Sequence, residues 1–229
     1  MTDTAPHIGT LRERPLHAAL KRWSAEPGDR FEVRVGSYVV DIVRDDLLIE
    51  IQTRGFSSMK TKLRRLLEDG HRIRIVYPVI AAKWICKLDA DGVVSSRRKS
   101  PQKGAFTDVF AELVSFPSLL DHDGLEIEVL AVHVDELRRH EPGKAWRRKG
   151  WVVEERRLIG VIDGIVLRST ADALELLPDD LPDPFTTGDV ADRSGMSRRL
   201  AQQAMYCLRE SGAIPTDGKR GNAVLYRIP

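Results

Sequence analysis

The chain has 229 residues, a formal net charge of +2 and a hydrophobic content of 42%, which suffice for one large or two small domains with a buried core. Cys86 and Cys207 lack the spacing of a disulfide framework or a zinc site. No apolar run reaches the roughly 20 residues of a membrane span, and the first residues lack a signal-peptide pattern. We therefore expect a soluble, cytoplasmic protein that has no membrane partner.

The first part of the chain predicts helices and strands in the order α-β-β-β-α-β-β. Pro15 begins a helix with apolar residues at helical spacing, and Pro27-Gly28 ends it. Asp45-Asp46 is a turn-like pair between two β-branched runs, which predicts a tight hairpin. The remaining elements are a strand over 31–35, a helix over 59–68 and strands over 72–78 and 83–88.

The second part of the chain predicts a less regular pattern. We expect a loop over 93–105, a helical segment over 106–120 and a strand over 125–134. A basic connector over 138–149 precedes a mostly helical stretch over 152–177. Three prolines between 178 and 184 indicate a domain boundary. The predicted divisions are an α/β domain over 1–137, a basic, partly helical connector over 138–184 and a small domain over 185–229.

Two acidic residues of the predicted hairpin are expected to meet. With Asp45-Asp46 as the loop, Asp41 lies opposite Glu50, and Gln52 points to the same face as Glu50. Opposed carboxylates repel one another unless a cation compensates them, and Mg²⁺ prefers oxygen ligands. The spacing therefore predicts a metal site, and the alternative is a solvent-facing hairpin edge without a function.

The order α-β-β-β-α-β, with Asp41 on the second strand and Glu50-Ile51-Gln52 on the third, resembles the PD-(D/E)XK nuclease superfamily over residues 11–88. The resemblance implies a mixed sheet flanked by helices and a nuclease that holds Mg²⁺ or Mn²⁺ with Asp41 and Glu50. Gln52 stands where the family usually has a catalytic Lys. Lys60 or Lys62 on the following helix is expected to supply that charge, unless both are solvated surface residues.

The first predicted helix adds a further candidate ligand. His17, within Leu16-His-Ala-Ala-Leu20, resembles the first-helix His of RecB-type nucleases, which reaches the metal. The Gln-x-x-x-Tyr motif of those enzymes is missing after the third strand. Glu13 is the alternative acidic contributor, and we rank it below His17 because it precedes Pro15.

Residues 185–229 predict two helices, capped by Thr187 and Ser197, followed by a hairpin. This pattern resembles the winged helix-turn-helix family, in which the second helix enters the major groove and the wing touches the DNA backbone. The alternative is a winged helix used for protein contact. The candidate DNA-binding residues are Arg198, Arg199, Gln202 and Gln203 on the second helix, and Lys219 and Arg220 on the wing.

Three functions remain open from the sequence. The first is a metal-dependent endonuclease that hydrolyses phosphodiester bonds in duplex DNA and is targeted by the C-terminal domain. The second is a DNA-binding regulator with a degenerate nuclease-like domain. Gln52 in place of the usual Lys keeps this alternative open. The third is an RNA-processing enzyme built from the same parts. Nucleic acid is the expected partner in each, and the sequence leaves homodimerisation undecided.

Overall fold

The computed structural model describes residues 14–229, and its first six helices and strands follow the predicted order α-β-β-β-α-β. The elements are α1 (Pro15–Ser24), β1 (Arg30–Val35), β2 (Tyr38–Arg44), β3 (Leu47–Ile51), α2 (Lys60–Glu68), β4 (Arg72–Leu88), β5 (Val94–Lys99), α3 (Phe110–Leu113), β6 (Leu125–His140) and β7 (Trp151–Leu167). Short 3₁₀ turns cover Phe56–Met59, Phe106–Val109, Pro117–Leu119 and Trp146–Arg148. None of the described helices is long and apolar enough to cross a bilayer.

The strands form one mixed sheet in the order β1-β2-β3-β4-β6-β7, with β5 paired to β4. β4 runs parallel to both β3 and β6, and the other pairs are antiparallel. Leu48 packs in the same cluster as the leucines of α2, whereas its neighbour Ile49 packs with Leu16 and Leu20 of α1. Because successive strand residues point to opposite faces, α1 and α2 cover opposite faces of the sheet. The chain is thus an α/β protein with a mixed sheet flanked by helices.

The hairpin of β2 and β3 has the predicted register. Arg44 pairs with Leu47, and Ile42 pairs with Ile49, so the Asp45-Asp46 loop is confirmed. Asp45 adopts a left-handed φ of 49°, a conformation that Asp tolerates in tight turns. The paired register ends at Ile42 and Ile49.

The long strands differ from several predictions. The prediction of a mostly helical stretch over 152–177 is wrong, because residues 151–167 form β7. Only Thr170–Leu174 (α4) is helical. The connector therefore starts with the last residues of β6 and continues as a strand of the main sheet. The two strands over 72–78 and 83–88 form the single strand β4, and part of the loop over 93–105 forms β5. Pairing with neighbouring strands decided these segments, since β-branched or polar composition alone does not fix them.

The C-terminal part contains β8 (Phe185–Thr186), α5 (Thr187–Ser194), α6 (Arg198–Glu210), β9 (Thr216–Arg220) and β10 (Ala223–Tyr226). Both predicted helices are present. Ser197 caps α6 as predicted, because its hydroxyl accepts from the Leu200 N–H. The cap of α5 is Thr186 rather than Thr187, since Thr186 has the extended backbone and accepts from the Asp189 N–H. The three strands are ordered β8-β10-β9.

The proline-rich segment separates the two parts in sequence but not in packing. Ala204 and Met205 of α6 belong to the same buried cluster as Phe110 and Leu113 of α3. α6 also contacts the Pro117–Leu119 turn and α4. The C-terminal part therefore shares its core with the sheet domain.

Candidate functional site

The candidate site lies where β2 and β3 diverge beyond their last paired residues. The carboxylate of Asp41 accepts a hydrogen bond from the Ile51 N–H at 2.9 Å. The Asp41 N–H lowers the pKa of the Glu50 carboxyl, whereas the charge of Asp41 raises it. Asp41 therefore bonds to the main chain of β3, and the two carboxylates are close enough to repel one another.

Helix α1 supplies two partners to Asp41, a histidine and a lysine. His17 Nε2 lies 3.3 Å from Asp41 Oδ2, and Lys21 Nζ lies 3.9 Å from Oδ1. These residues are four apart, so one face of the helix presents both to β2. Burial alone would raise the pKa of Asp41, but the hydrogen bond and charge of His17 lower it, helped by the Ile51 N–H and by Lys21. Asp41 is therefore held as a carboxylate.

Helix α2 supplies the partner of Glu50. Lys62 Nζ lies 2.5 Å from Glu50 Oε1 and also donates to the Val39 carbonyl at 2.6 Å. The Glu50 side chain is only 13% exposed. Burial raises the pKa of Glu50 and the charge of Asp41 adds to that effect, although Lys62 opposes it. Glu50 is thus a mostly enclosed acid for which Lys62 compensates only in part.

The structure separates the two lysine candidates and gives Gln52 a local role. Lys62 contacts Glu50, whereas Lys60 is exposed on α2. The Gln52 amide donates to the Gly55 carbonyl at 3.1 Å, and its main-chain N–H donates to the Val76 carbonyl. Gln52 therefore fixes the loop after β3 rather than completing an acidic patch.

The expected placement of Asp41 and Glu50 on one shared face needs correction. Asp41 contacts α1 and Glu50 contacts α2, and these helices cover opposite faces of the sheet. The pairing of β1 with β2 skips Glu32 and Asp41, and Glu32 has a left-handed φ of 52°, so the regular alternation of β2 is interrupted at Asp41. His17, as predicted, lies beside Asp41. Glu13 lies outside the described residues.

A divalent cation fits the donor chemistry of this site. Asp41 and Glu50 offer oxygen ligands of the kind that Mg²⁺ or Mn²⁺ prefers. His17 Nε2 lies against the Asp41 carboxylate, so it would have to leave this contact to bind a metal. Within residues 14–229, no three His, Cys, Asp or Glu side chains are clustered as a ready metal site. The pKa of Glu50 is raised, so a second positive charge beside it would stabilise its carboxylate form.

Sequence reasoning missed Lys21 and Arg54. Lys21 lies one helical turn after His17, so the spacing of the two residues was a usable signal. Arg54 follows Gln52 by two residues and lines a groove beside the site together with Arg14 and Arg156. No sequence signal indicates that Arg156, on β7, belongs to this groove.

The C-terminal part has a separate exposed basic surface. Arg198, Arg199 and Gln202 are exposed on α6, and Gln203 is half-buried. Tyr206, which the sequence reasoning missed, is 43% exposed on the same helix. On β9, Lys219 and Arg220 are exposed, and Arg220 donates to the Pro184 carbonyl at 3.3 Å. Within the described chain, Arg198, Arg199 and Lys219 make no ion pair, so their charges face solvent.

Comparison with known proteins identifies the family. Residues 14–168 match the model described as Domain of unknown function (DUF8091). The chain belongs to this family. The DUF8091 region begins just before α1 and ends just after β7, so it contains the whole main sheet and the candidate site. The C-terminal part lies beyond it.

One relative extends the similarity past the DUF8091 region. The chain is 32% identical over 222 residues to an uncharacterized protein of Treponema pallidum (strain Nichols). The match covers 96% of this chain and 87% of that protein, so it includes much of the C-terminal part as well. No solved structure matches the chain.

Proposed function

We propose that the chain is a metal-dependent nuclease of the PD-(D/E)XK type that cleaves nucleic acid, with duplex DNA favoured, and that its C-terminal part is a winged-helix DNA-binding domain. One observation carries the catalytic half of the proposal. The ammonium of Lys62 lies 2.5 Å from the mostly enclosed Glu50, beside Asp41 and within an α-β-β-β-α-β core. Lys62 on the helix thereby supplies the positive charge that the family usually takes from the position of Gln52.

Each residue of the site has a role that follows from its contacts. Asp41 and Glu50 would hold the cation, and His17 orients the Asp41 carboxylate from 3.3 Å away. A bound Mg²⁺ or Mn²⁺ would supply Lewis acidity and lower the pKa of a coordinated water. Lys62 is placed to neutralise negative charge that develops on a phosphate next to Glu50. Gln52 keeps the loop after β3 closed through the Gly55 carbonyl.

The proposed DNA-binding role of the C-terminal part rests on the order of its elements and on its exposed basic side chains. α5, the turn at Gly195, α6 and the β9-β10 hairpin follow one another as the winged-helix resemblance implies. The first turns of α6 expose Arg198, Arg199 and Gln202, side chains that can contact phosphates or base edges in the major groove. Lys219 and Arg220 on the hairpin are suited to contact the DNA backbone.

A second candidate function is a non-enzymatic DNA-binding regulator. The observation that favours it is that both acids already have protein cations as partners, Asp41 with Lys21 and Glu50 with Lys62. In that case the ion pairs hold α1 and α2 against the sheet, and the winged helix alone carries the function.

Cleavage and metal binding separate the two candidates. We would measure Mg²⁺ and Mn²⁺ binding by calorimetry, and cleavage of plasmid, single-stranded DNA and RNA, for the wild type and three variants. We expect metal-dependent cleavage in the wild type and a loss of at least about a hundredfold in Glu50→Gln and Lys62→Gln. Lys60→Gln is the matched control on the same helix and should cleave like the wild type.

The outcomes are distinct. Metal binding without cleavage of any substrate would reject the nuclease and favour the regulator. Metal-dependent cleavage that persists at full rate in Glu50→Gln would place the active site elsewhere. Equal losses in Lys60→Gln and Lys62→Gln would contradict the specific role of Lys62.

A further inference from the structure

A groove adjoins the candidate site at the edge of the sheet domain. It consists of two adjoining cavities of about 260 Å³ each, which share walls at Thr53-Arg54, Pro78, Ile80 and Arg156. One wall is Arg14–Leu16, directly before His17, and another is Thr53-Arg54, directly after Gln52. The chain segments that carry the candidate site therefore also shape the groove.

A buried carboxylate fixes cations along the groove. Glu136 on β6 is 1% exposed and accepts from Arg138 at 2.6 Å and from Arg156 at 3.0 Å. Lys83 Nζ lies 3.7 Å from the same carboxylate. Three cations thus surround one acid, and two of them, Lys83 and Arg156, line the groove. Burying a charge is costly unless it is paired, so the contacts with Glu136 hold Lys83 and Arg156 in fixed positions along the groove.

Arg54 adds positive charge to the groove without a protein counter-charge. Within residues 14–229 its guanidinium has no hydrogen-bond or ion-pair partner. Burial lowers the pKa of Arg54, and the charges of Arg14 and Arg156 lower it further. Arg14 and Arg54 are both exposed, so an anion from solution can reach them.

The acidic side chains that line the groove are engaged elsewhere. Glu154 pairs with Arg139, and Glu155 pairs with Arg157. Asp108 accepts from the Ala105 N–H, and Glu112 accepts from the Phe56 N–H. None of these four contacts involves Arg54, so within the described residues its guanidinium is left to bind an external anion.

We propose that this groove is a phosphate-binding subsite, in which Arg54, Arg14 and Arg156 hold a phosphate of a nucleic-acid strand beside the Asp41–Glu50 site. The planar guanidinium matches two phosphate oxygens at once, which a lone ammonium does not. The identity of the ligand as nucleic acid rests on the proposed function. The phosphate is either an internal one of the backbone or a strand end.

The test is a binding measurement without divalent metal. The full chain would carry Arg198→Ala and Arg199→Ala, so that the C-terminal part does not dominate binding, and short labelled DNA strands would be titrated in EDTA. Adding Arg54→Gln should weaken binding about tenfold, the effect of one charged hydrogen bond. It should also lower the slope of log affinity against log salt by about one. Arg30→Gln, an exposed charge on the opposite edge strand β1, is the matched control and should change nothing.

Strands with a 5′-phosphate, a 3′-phosphate or hydroxyl ends distinguish the two phosphate sources. An Arg54 effect confined to one phosphorylated end identifies an end-binding subsite, and an equal effect on all three identifies an internal phosphate. Unchanged binding in Arg54→Gln, or an equal loss in Arg30→Gln, overturns the subsite. A subsite that passes this test while no metal-dependent cleavage occurs would leave phosphate binding intact and reject only the proposed catalysis.

Discussion

Charged residues of the central sheet and those of the C-terminal part are arranged in opposite ways. In the sheet domain, Asp41, Glu50 and Glu136 are enclosed, and each lies against at least one protein cation. On α6, Arg198 and Arg199 face solvent without an acidic partner in the described chain. The first arrangement holds side chains in place, and the second presents charge to another molecule.

This difference separates stability from binding. A buried carboxylate that loses its charge leaves its cations unpaired in a poorly solvated site, which costs folding free energy. A solvated Arg that is removed costs the folded state little, but it takes a contact away from a polyanion. We therefore expect substitutions in the two regions to affect different measurements.

The largest expected effect on stability comes from Glu136. Glu136→Gln should lower the free energy of unfolding by about 3 kcal/mol, because Arg138, Arg156 and Lys83 then lose their shared counter-charge. Chemical denaturation at neutral pH measures this loss. Glu154→Gln removes the partly exposed partner of Arg139 on the neighbouring strand, and it should cost less than about 1 kcal/mol. Equal losses in both variants would contradict the contrast between enclosed and exposed charges.

Because of the Glu136 carboxylate, we also expect the free energy of unfolding to fall at acidic pH. Burial would raise the pKa of Glu136, but Arg138, Lys83 and Arg156 together bring it below its ordinary value of 4.5. A lowered folded pKa gives stability that is complete above pH 4.5 and is lost as the pH falls through the folded pKa. The difference in stability between the wild type and Glu136→Gln should therefore shrink in that acidic range.

The second effect concerns binding by α6. Changing Arg198 and Arg199 together to Ala should weaken duplex DNA binding by about 2 kcal/mol and reduce its salt dependence. The unfolding free energy should stay within about 0.5 kcal/mol of the wild type, because both side chains are exposed. Arg30→Ala together with Arg34→Ala, two exposed residues of β1, is the control of equal charge. A DNA affinity that is unchanged in the double variant would indicate that the winged helix binds protein instead.

A smaller effect is expected at the start of α5. Thr186→Ala should cost about 1 kcal/mol, because the hydroxyl caps the helix and bonds to Asp189. Those hydrogen bonds lower the pKa of Asp189, so their contribution is present above its ordinary value of 3.8 and is lost as the pH falls below it. Thermal unfolding at pH 7 and in the acidic range measures both parts. An equal loss of stability in Thr187→Ala would indicate that Thr187, rather than Thr186, caps the helix.

The smallest effect is expected at the exposed pair of Arg209 and Glu210. Both side chains are about two-fifths exposed, at 41% and 42%, and their ion pair is screened by water. Arg209→Ala should change the unfolding free energy by less than about 0.5 kcal/mol. Denaturant titration measures it, and a loss above 1 kcal/mol would show that exposed charges on α6 also stabilise the fold.

Shared packing limits what truncation can test. Ala204 and Met205 of α6 belong to the same buried cluster as Phe110 and Leu113 of α3, so deletion of residues 185–229 would expose apolar surface of the sheet domain. Cleavage by such a fragment is therefore a poor test of the division of labour between the two parts. Point substitutions in the full chain avoid this problem.

Elements with strong local signals were predictable from the sequence. Pro15 and the apolar spacing predicted α1, Asp45-Asp46 predicted the register of the β2–β3 hairpin, and Ser197 predicted the start of α6. Turn chemistry, caps and helical periodicity act over a few residues, so the sequence alone contains them. The pairing of Asp41 with Glu50 followed from the same local order, whereas His17 and the choice between Lys60 and Lys62 came from the nuclease resemblance.

Features that depend on distant neighbours were decided only by the tertiary structure. Residues 151–167 form a strand because β6 pairs with them along their length, whereas their composition also suits a helix. Lys60 and Lys62 both lie on the first turn of α2, and only the docking of α2 places Lys62 against Glu50. Likewise, Arg14, Arg54 and Arg156 come from three separate segments and meet because α1, β3 and β7 pack together. Local sequence patterns do not indicate such contacts, because long-range packing brings these residues together from distant parts of the chain.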